Sequence, residues 1–99
     1  MEKNLGTYTI SEKAFNDITN IICKNIKNIY PVKKDADYGE CKYNKQKEMI
    51  VNISLKIKKG IDIVKICSKI QNEVKENILL MTGVEVKNVN IDIQGFENK

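Results

Sequence analysis

Apolar and polar positions alternate most regularly in the middle of the chain. Met49, Val51, Ile53, Leu55 and Ile57 fall on one parity; Ile50, Asn52, Ser54, Lys56 and Lys58 fall on the other. Such alternation predicts a strand with one buried face and one mostly wet face. Before it, Phe15, Ile18, Ile22, Ile26 and Ile29 recur every three or four residues. That spacing predicts an amphipathic helix over 12–29, with Ser11 as its N-cap and Tyr30-Pro31 as its stop. After it, Ile63, Cys67, Ile70, Val74, Ile78 and Met81 form the stripe of a second helix. Asp62 suits that helix's first turn, and Gly83 suits the left-handed residue that closes it.

Shorter elements complete the order. Thr7-Tyr8-Thr9-Ile10 reads as a short strand, 31–37 as a polar turn, 38–43 as a weak strand and Asn44-Lys45-Gln46-Lys47 as a hairpin loop. Lys59-Gly60 ends the central strand. In the last segment Val84 and Val86 share one parity, while Val89, Ile91 and Ile93 share the other. A β-bulge at Lys87-Asn88 would keep all five on the core side; otherwise the two valines precede the sheet. The order is then β-α-β-β-α-β. An apolar face on every element implies an α+β two-layer sandwich, with two helices on one face of a mainly antiparallel sheet.

Length makes this a single domain over residues 1–99, with a core of about 5–96. The start, MEKNLGTYTI, has no apolar signal region, and no apolar run reaches the roughly 20 residues of a spanning helix. Export by a visible signal and direct membrane insertion are therefore not expected. The formal net charge is +4, and all 17 basic residues are lysine. Arginine is the usual fork for phosphate and base edges, so its absence disfavours specific nucleic-acid binding.

Candidate chemistry is sparse. Histidine is absent, which removes Ser-His and Cys-His pairs. Cys23, Cys41 and Cys67 are scattered and form no CxxC, so neither a metal site nor a disulfide framework is expected; three thiols fit a reducing compartment. There is no phosphate-binding glycine loop. The carboxylate pairs Asp35/Asp37 and Glu73/Glu76 read as solvated surface. No catalytic residue, cofactor or small-molecule substrate is expected.

Lysines crowd the predicted hairpin and the strand after it. Lys42, Lys45, Lys47, Lys56, Lys58 and Lys59, with the polar positions Asn52 and Ser54, make the candidate partner surface, several of them at one end of the sheet. Such a patch suits phosphate, anionic head groups or an acidic protein. The exposed strand positions lack the aromatics of a sheet that stacks bases, and no GxxG clamp is present.

The run IKKGIDIVKICSKIQNEVKENILLMTGVEVKNVNIDIQG resembles the alkaline shock protein family, also called the envelope stress response or Gls-type family. Its marked positions correspond to Gly60, Gln71, Met81-Thr82-Gly83, Val89-Asn90-Ile91 and Gly95; Thr9-Ile10-Ser11 and the first helix are similar more loosely. Lys59 stands where the family often has tyrosine, and Tyr30-Pro31 stands where it often has glycine-rich sequence. The resemblance implies a non-enzymatic cytoplasmic protein of Gram-positive-type bacteria, linked to cell-envelope homeostasis. It implies protein partners, among them a membrane-anchored family member that holds it at the inner face of the membrane. A regulator docking on a lipid-synthesis enzyme and a small nucleic-acid-binding module are the alternatives. Homo-oligomers are a further expectation, because an open sheet leaves edges that can pair.

Overall fold

The alternating central segment forms the axis of the sheet. In the computed structural model, which describes residues 9–98, it is a ten-residue strand, β3 (Met49–Lys58). Its five predicted core residues are all buried at 0–1% exposure. Around it lie α1 (Glu12–Lys24), β1 (Ile29–Tyr30), β2 (Gly39–Tyr43), α2 (Ile63–Thr82) and β4 (Val86–Glu97). Both helices cover the face carrying Met49, Val51, Ile53, Leu55 and Ile57, so the fold is a two-layer α+β sandwich.

β1 and β2 both run antiparallel to β3 and share one side of it, with Tyr30 opposite Lys56 and Gly39 opposite Ile53. Together they make one edge strand, interrupted by the polar turn at 31–37. β4 takes the other side of β3 and runs parallel to it, as the intervening α2 requires. Register shifts at Lys87 and at Gln94, two bulges in β4. The first is the predicted phase change: Val86 lies opposite Met49 and Val89 opposite Val51, both buried. Val84 lies before the strand and packs against the core from there.

Several boundaries differ from expectation. α1 ends at Lys24, where Asn25 leaves helical geometry (φ −95°, ψ 2°) and its N–H reaches Cys23 and Ile22. Tyr30-Pro31 therefore does not stop it. The three-four spacing continues because Ile26 is buried from the following turn and Ile29 from β1, opposite Ile57. Of the first predicted strand, Thr7 and Tyr8 lie outside the described residues, while Thr9 and Ile10 are not extended ladder. On α2 the buried stripe is Ile66, Ile70, Val74 and Ile78. Ile63 and Met81 have the right phase but sit in the end turns, 41% and 63% exposed, and Cys67 is only half-buried.

Local signals account for the rest. Ser11 Oγ accepts from Ala14 N–H at 3.2 Å and caps α1. Asp62 is itself the N-cap of α2 rather than a first-turn residue, accepting from Lys65 N–H at 3.2 Å. Gly83 adopts φ 76° and returns its N–H to Leu79, the predicted left-handed stop. Asn44 closes the hairpin, its Oδ1 accepting from the N–H of Gln46 and of Glu48.

Candidate interaction surface

The uncovered face of the sheet carries the polar positions predicted for a partner. Asn52 and Asn90 lie opposite each other on β3 and β4, and Asn90 Nδ2 donates to Asn52 Oδ1 at 3.0 Å. Ser54 faces Asp92 in the next open-face pair. Asn88 and Lys42 flank Ile50 on its two sides, so the centre of this face is amides and a hydroxyl with one half-buried isoleucine.

Three of the candidate lysines share one end of the sheet, and three lie at the other. Lys45 and Lys47 sit in the hairpin at the start of β3, with Lys42 beside it on β2. Lys56, Lys58 and Lys59 lie at the opposite end of a strand about 30 Å long. Three open-sheet lysines also have carboxylates nearby: Lys42 with Glu40 at 3.8 Å, Lys56 with Glu97 at 3.5 Å, and Lys87 with Glu48 at 3.7 Å. Two separated groups with interspersed acids give no continuous track for a phosphate backbone.

A second feature lies on the helical side. Between α1 and α2 runs a groove of about 590 Å³, lined by Ile21, Ile22, Ile26, Ile66 and Met81 with Lys27, Lys69 and Glu73 at its rim. Ile21 is 57% exposed, and Leu80, next to Met81 on the last turn of α2, is 83% exposed. Sequence reasoning passed over Ile21 and Leu80 and placed Met81 in the buried stripe. The signal was present in Ile78-Leu79-Leu80-Met81: four apolar residues in succession go right round a helix, and one stripe can bury only part of them.

A third feature is structural and was also missed. Glu12, Asn16 and Asn20 stand at intervals of four on α1, facing the outer edge of β2. Glu12 Oε2 accepts from Tyr43 N–H at 2.9 Å, and Asn16 Oδ1 accepts from Cys41 N–H. Asn20 Oδ1 accepts from both Tyr38 and Gly39 N–H. The helix thereby satisfies four edge donors. Gly39 permits the approach, because a Cβ there would lie 2.8 Å from Thr19 Cγ2.

Two of the three thiols, Cys23 and Cys41, are buried, and Cys67 is half-buried. Burial pushes the Cys23 thiol up to about 12, with Cys41 nearby adding to the rise. Cys41 is also raised by burial, against a lowering contact from Thr19 Oγ1 3.3 Å away; Cys67 is raised by burial. A protonated thiol is a weak nucleophile. Among the described residues no His, Cys, Asp and Glu group converges as a metal site.

Gln71, singled out by the family resemblance, leaves α2 to donate to the Val89 carbonyl of β4 at 3.1 Å. A family model covers this same region, matching residues 40–98, more than half of the chain. The chain belongs to the alkaline shock protein 23 family, described as having a cell envelope-related function. In that family frame, Gly60 (φ 90°) and Gly83 serve turns, Gln71 pins helix to strand, and Asn90 belongs to the open face. No curated protein and no solved structure matches the chain. Among the described residues, no helix is long and apolar enough to cross a membrane.

Proposed function

We propose that this chain is a non-enzymatic interaction module serving the cell envelope from its cytoplasmic side, through protein partners. The family match over residues 40–98 is the observation that carries the envelope assignment. One feature supports action through partners. The α1–α2 groove displays Ile21 and Met81 to solvent, and exposed apolar clusters mark docking sites. Among the described residues no helix is long and apolar enough to cross a bilayer, and attachment through a membrane-anchored protein is part of this proposal. The three thiols are held protonated by burial and have no histidine to activate them.

The test is recovery from cells. Tagged full-length chain is crosslinked in vivo, membrane and soluble fractions are separated, and co-purifying proteins are identified. We expect recovery with a membrane protein, lost on Ile21→Lys or Met81→Lys while the fold is retained. Recovery only from the soluble fraction, with RNA or a lipid-synthesis enzyme, would replace this reading by one of those two.

A further inference from the structure

We infer that two copies of this chain join through the outer edge of β4, antiparallel about a twofold axis at Ile91. The inference refines the interaction reading above by naming one partner as a second copy.

The two edges of the sheet are unequal. Along β2, α1 side chains hold the N–H groups of Tyr38, Gly39, Cys41 and Tyr43. Along β4, among the described residues, β3 is the only strand partner; from elsewhere Lys59 N–H reaches the Glu97 carbonyl at the strand's end, and within Asn88–Ile93 Gln71 reaches the Val89 carbonyl. A carbonyl has two lone pairs, so that bond leaves acceptor capacity. Long uncovered edges are templates for further pairing unless charge, proline or bulges blunt them. In β4 the bulges fall at Lys87 and Gln94; between them Asn88–Ile93 is regular, has no proline and carries one charge, Asp92.

Residue pattern selects a second copy and its register. Val89, Ile91 and Ile93 share the helix-covered side, and Asn88, Asn90 and Asp92 share the open side. Ile91 and Ile93 remain half-buried. With Ile91 on the axis, each Ile93 meets the other copy's Val89 and each Asp92 meets the other copy's Asn90. Like faces then meet like faces, the exposed isoleucine surface is covered, and no two carboxylates oppose each other. An axis at Asp92 would set that carboxylate against its own copy. A parallel copy would not close. Because α1 occupies the β2 edge, growth ends at two.

Sedimentation equilibrium of the purified full-length chain tests this, with circular dichroism confirming that variants keep the fold. We expect a reversible dimer. Asn90→Asp sets carboxylates opposite each other twice across the axis and raises the dimer Kd roughly 2- to 30-fold. Adding Asp92→Lys to it makes those pairs opposite in charge and brings the Kd back to the wild-type value or below. A monomer at every concentration overturns the proposal. So does a dimer indifferent to Asn90→Asp, or one that the second substitution fails to restore. These outcomes use pure protein, so they are independent of whether the chain is recovered with an envelope protein.

Discussion

On the β2 side of the sheet, a helix lies close enough to read the edge backbone: one glutamate and two asparagines on α1 accept from three strand N–H groups and from that of Tyr38 just before the strand. On the β4 side, the helix lies over the face, and a single glutamine touches one carbonyl. The first arrangement ties α1 to the sheet with polar geometry as well as packing. The second holds α2 by its apolar stripe, Ile66, Ile70, Val74 and Ile78. The difference shows that one small sheet can seal one margin and leave the other able to pair, according to where its helices sit.

Substitutions on the two sides can break or sharpen that contrast. The largest effect is expected where both sides depend on the same core. Ile70→Ala on α2 or Ile53→Ala on β3 should each cost about 2–5 kcal/mol in chemical denaturation, through loss of burial and formation of a cavity. A midpoint equal to wild type would refute the assigned core. Next comes the sealed edge. Asn20→Ala leaves the Tyr38 and Gly39 N–H groups without their acceptor beneath α1 and should cost about 1–3 kcal/mol.

The thiols divide along the same line. Cys23 and Cys41 lie on α1 and β2, buried; Cys67 lies half-buried on α2. Alkylation of the native protein should therefore modify Cys67 first. Cys23 binds its proton more tightly folded than unfolded, so its contribution is fully present below about pH 9. It is then lost as pH rises toward about 12, at no more than about 1.4 kcal/mol per pH unit from one proton. A denaturation midpoint that stays level from pH 9 to 11 would contradict this.

On the β4 side, Gln71→Ala should cost less than Asn20→Ala, about 0.5–1.5 kcal/mol, because one neutral hydrogen bond at a part-buried site is lost. Reversal of that order would mean that the β4 edge is the better sealed one. Smallest of all, Lys58→Ala should change stability by about 0.5 kcal/mol or less, and a larger shift would show that its end of the sheet is structurally engaged.

Much of the fold was legible in the order of residues. Strict alternation in 49–58 admits one reading, since only a strand places every second residue on one face. The close of α2 at Gly83 and the phase change in β4 were readable for similar reasons: glycine tolerates the left-handed turn, and a parity flip among buried valines needs an extra residue. The family was legible too, from the stretch running through Gln71 and Met81-Thr82-Gly83 into β4. The candidate surface was legible only in part. Asn52 and Ser54 lie on the open face as read, but Lys56, Lys58 and Lys59, grouped around the hairpin in the sequence, lie at the far end of β3. Nearness in sequence misleads there, because a ten-residue strand carries its ends about 30 Å apart.

By itself, then, the sequence determined the elements whose periodicity is uninterrupted, the turns that need glycine, and the family. Tertiary structure alone decided where α1 ends, because burial continues at Ile26 and Ile29 after the helix has stopped. It decided that Glu12, Asn16 and Asn20 meet the edge of β2, and that among the described residues no second strand pairs with β4. Periodicity records how often a residue faces the core. Which neighbour stands beside it, and which backbone donors that neighbour satisfies, depends on how the two layers are laid together.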